Sequence, residues 1–270
     1  FPARYFNVGV AEANMVAMAA GLATAGKIPF ANTFAAFMVL RAADPVRSLV
    51  AYTGLNVKLA GTYAGLSDSY DGASHHAIAD MAFMRALPNM TVVSVSDPVE
   101  AELATRAAAA FKGPVYLRLS RAEVPVVLDK ATYRFEIGRG VTLVEGSDLT
   151  IVATGYMLVK ALEAAETLAA RGVKARVVNM HTIKPIDKEL LIACARDTGA
   201  IVTAEEHSVF GGLGGAVSEV LAKHCPVPLE FVGVEDTFTE SGDYEKLLVK
   251  YGLSAANIVA KAERGLRRKK

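Results

Sequence analysis

One acidic residue stands at the head of a stretch that is otherwise apolar or small, and it is the first candidate for chemistry. Glu12 opens this stretch, Ala11–Gly26. A carboxylate in the first turn of a helix is stabilised by the helix dipole by about 0.3–1 kcal/mol, and on local pattern alone this ordinary explanation is favoured. The alternative is a carboxylate at a buried helix start, whose raised pKa lets it hold or share a proton. Both predict a helix that begins near Glu12.

A second polar cluster comprises Asp71, His75 and His76. Adjacent helical residues point about 100° apart, so the two histidines are not expected to grip one metal ion. In one interpretation, Asp71 and one of the histidines face a cleft. In the other, both histidines lie on the surface. The preceding stretch Gly61–Gly72 is rich in Thr, Tyr, Ser and Asp and poor in core-forming residues. It therefore predicts a long functional loop.

Three further patterns favour structural roles. Gly211–Gly215 follows a predicted strand and precedes a helix, where backbone N–H groups bind phosphate. Its spacing matches neither the dinucleotide fingerprint nor the phosphate-binding loop, so close packing of helix on strand is favoured. Glu205–His207 ends a predicted strand without the spacing of a hydrolytic triad or a zinc site. Phe34 and Phe37 are three residues apart, which is typical of core packing, while stacking on a flat ligand is the alternative.

The elements that must position these residues follow an α/β pattern: strand-length apolar runs alternate with amphipathic helical stretches, which predicts mostly parallel sheets. Two consecutive α/β domains are expected, at residues 1–125 and 141–270, with a linker at 126–140. The predicted strands are Ile28–Asn32, Val57–Gly61, Thr91–Val95, Val115–Leu119, Leu149–Ala153, Val173–Met180, Ala200–Ala204 and Leu229–Val234. The predicted helices include stretches near Glu12–Ala25, Ser74–Arg85, Pro98–Phe111 and Met157–Arg171.

Composition excludes several classes of protein. Hydrophobic residues make up 52% of the chain and charged residues 21%, so a folded core is expected. The net charge of +1 gives no argument for nucleic acid or a membrane surface, and no apolar run reaches the roughly 18 residues that span a bilayer. Cys194 and Cys225 show no metal-like spacing, which favours a reducing cytoplasm. The chain opens with Phe-Pro, so we expect that an N-terminal segment is absent.

Taken together, seven segments in this order resemble the C-terminal half of transketolase. The segments that carry the resemblance are Arg4–Glu12, Thr33–Phe37, Asp71–His75, Gly113–Arg121, Glu205–His207, Gly211–Gly215 and Glu240–Gly242. The match runs over nearly the whole chain. It implies the thiamine-diphosphate pyrimidine-binding fold, followed by the transketolase C-terminal domain.

The resemblance also implies roles for individual residues. Glu12 would bond the aminopyrimidine of thiamine diphosphate and control its proton, and Phe34 and Phe37 would pack on that ring. The donor sugar's hydroxyls would be bound by Asp71 and by His75, which joins Glu12 as a catalytic residue. The terminal phosphate of the sugar would be bound by Arg121, whose guanidinium fork suits a phosphate.

Two positions depart from the family's pattern. The family's phosphate-binding histidine falls at Tyr63, which is retained here as a substrate-binding candidate, and a third aromatic residue falls at Leu40. A split transketolase specialised for an unusual sugar phosphate would account for both departures.

What the sequence lacks predicts a partner. It contains no Gly-Asp-Gly motif followed by a spaced Asn, the family's magnesium–diphosphate motif, and no metal site is expected in this chain. A second polypeptide, the N-terminal diphosphate-binding transketolase subunit, would hold magnesium or calcium and complete the active site. The expected assembly is a heterotetramer, or a homodimer of this half. The expected function is transfer of a two-carbon ketol unit from a ketose phosphate to an aldose phosphate.

Three other functions remain open. Within the cofactor class these are a subunit like 1-deoxy-D-xylulose-5-phosphate synthase and one like the beta subunit of 2-oxo-acid dehydrogenases. Thr33–Phe37 and Ser74 favour transketolase over both. The third is a non-catalytic subunit that serves assembly, which would have no need of Glu12, Asp71, His75 and Arg121 together.

Overall fold

Two five-stranded sheets organise the chain, of which a computed structural model describes residues 1–269. The strands are β1 (Phe30–Phe34), β2 (Lys58–Thr62), β3 (Thr91–Ser94), β4 (Val115–Arg118), β5 (Val141–Val144), β6 (Leu149–Ala153), β7 (Ala175–Asn179), β8 (Thr182–Lys184), β9 (Ile201–Ser208) and β10 (Leu229–Val234). The first sheet has the order β1-β2-β4-β3-β8 and the second β10-β9-β6-β7-β5. All pairings are parallel except β3 with β8 and β5 with β7. The predicted α/β class with mostly parallel sheets is confirmed.

Ten α-helices pack on these sheets within the described residues. They are α1 (Glu12–Thr24), α2 (Ala35–Leu40), α3 (Ala43–Pro45), α4 (Asp80–Ala86), α5 (Pro98–Ala110), α6 (Met157–Ala170), α7 (Lys188–Thr198), α8 (Leu213–His224), α9 (Tyr244–Lys250) and α10 (Ala255–Arg268). A π-helical turn spans Val46–Ala51, and 3-10 turns span Pro2–Arg4 and Gly72–Ser74. Across residues 1–269, no helix combines the length and apolarity needed to cross a membrane.

Local sequence explains where several helices begin and end. Asp97, Asp187, Asp243 and Ser254 cap α5, α7, α9 and α10 by accepting a hydrogen bond from a backbone N–H in the first turn. Helix α7 ends at Gly199, whose φ of 67° suits glycine. Helix α1 has no capping side chain, and only Glu12, Val16, Ala19 and Ala20 of its residues are buried.

Three elements differ from what the sequence predicted. The helix expected near Ser74–Arg85 begins only at Asp80, because Ala77 instead exchanges backbone hydrogen bonds with Gly65, at 2.9 and 3.2 Å. The short strands β5 and β8 were not predicted. Strand β8 comes from the second half of the chain yet pairs with β3 of the first sheet. The sheet therefore joins the two halves, which also share a continuous apolar core that contains Val92, Val152 and Val178.

The segment 126–140 contains neither a helix nor a strand, as the predicted linker requires. It is nevertheless packed, since Leu128 and Tyr133 are buried in the core of the second sheet. The Tyr133 hydroxyl donates a hydrogen bond to Glu100, and the Asn179 amide reaches that carboxylate at 2.9 Å. The domain boundaries at 125 and 141 stay a prediction.

Candidate functional site

Glu12 begins α1 and is almost entirely buried, with 8% of its surface exposed. Its Oε1 accepts a hydrogen bond of 3.0 Å from Nη1 of Arg41, whose side chain is 47% exposed. The apolar surroundings that the sequence indicated are thus present, and so is a cation that the sequence analysis did not consider. Both a helix N-terminus and an arginine stabilise negative charge on this carboxylate.

Beside Glu12 lies a row of three aromatic rings, formed by Tyr63, Phe34 and Phe37 and called the ring row below. Phe34 and Tyr63 stack at 4.1 Å between ring centroids with 16° between planes. Phe34 and Phe37 are nearly parallel, 5.3 Å apart with 9° between planes. All three are half-buried rather than buried, so they line an accessible surface instead of filling the core.

Parallel strand pairing places the ring row. Phe34 is the last residue of β1 and lies opposite Thr62 at the end of β2, so Tyr63 follows directly beside Phe34. Phe37 lies one helical turn further, in α2. The row therefore stands at the carboxyl ends of the strands, where open α/β sheets bind ligands. Tyr63 has a φ of 60°, an uncommon conformation for a residue other than glycine and one that often marks a functional site.

His75 meets the ring row edge-on. Its ring centroid lies 5.1 Å from that of Phe37 and 5.9 Å from that of Phe34. Its Nδ1 lies 2.9 Å from the Ser74 hydroxyl, and the ring is half-buried. Asp71 lies in the same segment and is exposed. Asp71 lies within the predicted functional loop Gly61–Gly72, and His75 follows that loop by three residues.

An arginine lies at each end of the ring row, and each is paired with a carboxylate. The Arg41 guanidinium carbon is 3.6 Å from the centroid of Phe37, and that of Arg121 is 5.1 Å from the centroid of Tyr63. Arg121 donates from Nη1 to Oδ1 of Asp68 at 2.7 Å. The side chain of Asp68 is fully buried, while that of Arg121 is 51% exposed. Among the described residues, the second oxygen of Asp68, Oδ2, has no hydrogen-bond partner.

The second half of the chain supports this loop from behind. The His76 ring lies 2.5 Å from the Thr239 hydroxyl, and the backbone N–H of Gly242 donates to Ser69 at 3.0 Å. Burial lowers the pKa of His76. Gly72 has a φ of 73°, and a Cβ built there would lie 2.3 Å from the hydroxyl of Ser241. Both the turn and this contact therefore require glycine.

Glu206 ties the same loop to the second sheet. Its Oε1 accepts a 2.6 Å hydrogen bond from the backbone N–H of Leu66, and its Oε2 accepts one of 3.0 Å from Tyr244. Burial raises the pKa of Glu206 to about 7, although these donors and Arg118 act in the opposite direction. Glu206 is thus a buried support for the loop, since its partner Leu66 lies two residues before Asp68 in the chain.

A buried ion pair lies beneath the loop. Arg118 donates to both oxygens of Asp80, at 2.7 and 3.2 Å, and to the carbonyls of Ala77 and Glu206. The Tyr116 hydroxyl also donates to Asp80, at 2.7 Å. Burial alone would raise the pKa of Asp80, but the Arg118 guanidinium holds it below its ordinary value. This network is fully satisfied and rigid rather than open to a ligand.

The glycine-rich stretch Gly211–Gly215 is a packing element. Glu205 accepts hydrogen bonds from the backbone N–H groups of Leu213 and Gly214, at 2.7 and 2.8 Å. Its carboxylate therefore occupies the helix N-terminus at which a phosphate would sit. A Cβ built on Gly214 would lie 2.3 Å from the ring of Phe231, so helix and strand approach closely there.

The structure brings most of the sequence candidates together, and it adds two residues. Glu12, Phe34, Phe37, His75, Tyr63 and Arg121 form one connected group, while Asp71 is exposed beside it. The sequence analysis missed Arg41 and Asp68. Arg41 lies four residues after Phe37 on the same helical face, and Asp68 lies inside the predicted functional loop. Both positions could be read from the sequence, but neither position indicated that the residue forms an ion pair.

Comparison with known proteins gives the same assignment along nearly the whole chain. The model of the transketolase pyrimidine binding domain matches residues 1–127, and that of the transketolase C-terminal domain matches residues 138–258. A 6-deoxy-6-sulfo-D-fructose transketolase subunit, SqwH, from Clostridium sp. strain MSTE9 is 47% identical over 99% of this chain and 83% of the relative. A putative transketolase C-terminal section from Methanocaldococcus jannaschii is 46% identical over 96% of this chain and 81% of the relative.

Solved structures give the same family assignment. One described as a split gene transketolase, inactive beta4 tetramer, has a TM-score of 0.93 and 52% identity, and covers 100% of this chain and 86% of its own. A transketolase mutant from Pichia stipitis has a TM-score of 0.83 and 26% identity, and the match covers 96% of this chain but 37% of that protein.

Proposed function

Because this chain belongs to the transketolase family, as the half that holds the pyrimidine-binding and C-terminal domains, we propose that it is the C-terminal subunit of a split transketolase. It transfers a two-carbon ketol unit from a ketose to an aldose, with thiamine diphosphate as cofactor. The relatives of similar length, which are subunits or sections of transketolases, support a split enzyme.

The observation that carries this proposal is the arrangement of Glu12, Phe37 and Arg41. The Arg41 guanidinium is planar and carries N–H donors, and it lies on the Phe37 ring while it donates to Glu12. An aminopyrimidine is also flat and also donates N–H hydrogen bonds. The position of Arg41 therefore supports the fit of the cofactor's pyrimidine at this end of the ring row.

Each residue has a task in this proposal. Phe37 and Phe34 orient the pyrimidine by stacking, and Arg41 turns away when it binds. Glu12, shielded from water, holds or gives up a proton at the pyrimidine nitrogen. When bound, thiamine diphosphate supplies the carbon nucleophile that takes up the two-carbon unit. His75 and Asp71 bind the donor's hydroxyls, with His75 close enough to the rings to move a proton at the reacting end.

The partner subunit supplies what this chain does not. We propose that an N-terminal transketolase subunit binds the diphosphate and its magnesium or calcium ion. Among residues 1–269 no cluster of three His, Cys, Asp or Glu side chains is placed to hold a metal ion. The complete enzyme is proposed to be a heterotetramer, or to be built on a homodimer of this half, in the cytoplasm. The tetramer named for the 52% identical structure supports self-association.

Reconstitution tests the proposal. The chain is combined with the diphosphate-binding subunit, thiamine diphosphate and magnesium, and transfer between a ketose and an aldose is followed. Ketol transfer without carbon dioxide release supports transketolase. A 1-deoxy-D-xylulose-5-phosphate synthase from Geobacter sulfurreducens is 39% identical over 97% of this chain and 41% of its own length, so pyruvate is also tested as a substrate. Stoichiometric release of carbon dioxide from pyruvate would contradict the proposal.

A further inference from the structure

The charge at the Tyr63 end of the ring row is already compensated inside the protein. Arg121 is the residue that the family resemblance assigns to a terminal phosphate. In this chain its Nη1 is 2.7 Å from Oδ1 of Asp68, so one arm of the guanidinium fork is committed to a carboxylate. The Arg121 backbone is fixed as well, since its N–H donates to the Ser67 hydroxyl at 3.1 Å.

Asp68 depends on this pairing more than Arg121 does. The Asp68 side chain has no exposed surface, whereas half of the Arg121 side chain reaches solvent. Within residues 1–269, Oδ2 of Asp68 accepts no hydrogen bond at all. A buried carboxylate in this state depends on its cation, because burial removes the water that would otherwise stabilise the charge. The ion pair is therefore a fixed part of the site and is not released at low cost to a ligand.

In the part of the chain that the structure describes, no lysine and no second arginine forms an ion pair with Asp68 or lies over the Tyr63 ring. The neighbouring aromatic residue is Tyr63, which is stacked between Arg121 and Phe34 and carries an uncharged hydroxyl. The remaining ionisable groups of the loop are exposed Asp71, which is negative, and His75 and His76. A phosphate dianion bound by the free arm of Arg121 would thus face a buried carboxylate behind it, an unfavourable like-charge arrangement.

The groups that remain available suit hydroxyls. Arg121 has N–H donors beyond the one given to Asp68, and a tyrosine hydroxyl can both donate and accept. We propose that the end of the site formed by Tyr63, Asp68 and Arg121 selects ketose donors that end in an uncharged hydroxyl over those that end in a phosphate. This inference rests on the proposed ketol transfer and changes the substrate class that the resemblance alone implies.

The test compares two donors in the reconstituted complex: D-fructose and D-fructose 6-phosphate, each with the same aldose acceptor. The ratio of their kcat/KM values is independent of how much active complex forms. The wild-type protein is expected to favour the uncharged donor. Asp68→Asn keeps the shape of the side chain but frees the charge of Arg121, and should shift the ratio toward the phosphorylated donor by about tenfold, as expected for one like-charge contact.

Glu166→Gln is the matched control. It removes the same charge from an exposed position on α6 and should leave the ratio unchanged. A wild-type preference for the phosphorylated donor, or an Asp68→Asn ratio equal to that of the wild type, would overturn the inference and leave ketol transfer standing. Absence of transfer from either donor in a complex that binds thiamine diphosphate would overturn the proposed function, and this inference with it.

Discussion

The two ends of the ring row are built from the same parts and differ in which part is buried. At the Phe37 end, Glu12 lies at the start of a helix and Arg41 covers both the carboxylate and the ring. At the Tyr63 end, Asp68 lies in a loop with no exposed surface, and Arg121 is its cation. Glu12 has a helix N-terminus and a little solvent to stabilise it, whereas Asp68 has one hydrogen bond and an oxygen without a partner.

This difference separates an exchangeable ion pair from a fixed one. Arg41 can leave Glu12, because the helix dipole and a donor on an incoming ligand can replace it. Arg121 cannot leave Asp68 without stranding a buried charge. One end of the row is therefore suited to receive a cofactor ring, and the other to set the charge of the substrate.

Replacement of Glu12 should have the largest effect. Glu12→Ala removes the only carboxylate proposed to handle a proton at the cofactor, and should lower kcat of ketol transfer by about 10²–10⁴-fold, the range for loss of a general acid or base. Steady-state kinetics of the reconstituted complex measure it, with sedimentation to verify that the complex still forms. Activity within a factor of about two of the wild type would remove Glu12 from the mechanism.

The two arginines should differ in their effect on stability. Arg121→Ala strands Asp68 and should lower the free energy of unfolding by about 1–3 kcal/mol. Arg41→Ala should lower it by at most about 1 kcal/mol, because Glu12 keeps a little contact with solvent and the helix dipole when the arginine is removed. Urea unfolding of the chain gives both values, with Arg106→Ala as the control at an exposed i,i+4 pair. Equal losses at the two ends would contradict the distinction between a fixed and an exchangeable pair.

The pH dependence of stability should report on the loop that holds Asp68. Burial raises the pKa of Glu206 from 4.5 to about 7, so the folded protein binds a proton that the unfolded chain has already lost between those values. The stabilisation from this proton is complete below the unfolded pKa and is lost as pH rises through the folded one. Stability should thus fall by about 1–3 kcal/mol between pH about 5 and 8.

Glu206→Gln isolates this effect. The amide keeps the size of the side chain but cannot ionise, so the part of the slope due to Glu206 should vanish from chemical unfolding curves measured across that pH range. A slope identical to that of the wild type would show that Glu206 is already ionised in the folded protein.

The smallest effect is expected on cofactor affinity. Arg41→Ala removes the group that competes for Phe37 and Glu12. It should tighten binding of thiamine diphosphate to the reconstituted complex by up to about fivefold, the value of a weak ion pair whose arginine reaches solvent. Calorimetric titration measures the Kd, with Arg41→Lys as a variant that keeps the charge but loses the planar stack. Weaker binding by Arg41→Ala would mean that Arg41 holds the cofactor instead of standing in its place.

Much of the fold was predictable because local signals agreed with tertiary structure. The apolar run Leu149–Ala153 is fully buried, and its strand was predicted with both ends correct. Strand β8 was not predicted, because Thr182–Lys184 is too short to show a period and owes its pairing with β3 to a contact distant in sequence. The helix that begins at Asp80 was placed too early, since pairing of Ala77 with Gly65 overrides local helical preference.

The candidate site was likewise predictable only in part. The grouping of Phe34 with Tyr63 follows from the parallel pairing of β1 and β2. The sequence pattern indicates mostly parallel sheets but not which strands are neighbours. The partners of the two charges do not follow from it: Glu12 and Arg41 are 29 residues apart, and Asp68 and Arg121 are 53 apart. A carboxylate can be recognised in sequence as suited to chemistry, but its counter-ion is chosen by packing between distant segments.

The most direct test of the proposed function follows the two carbons themselves. A ketose labelled with carbon-13 at C1 and C2 is given to the reconstituted complex with an unlabelled aldose, and the product is analysed by mass spectrometry. Both labels should arrive together in the new ketose with the wild-type chain, and Glu12→Ala should transfer them about 10²–10⁴-fold more slowly. Equal label transfer by Glu12→Ala, or transfer of a single label, would contradict it.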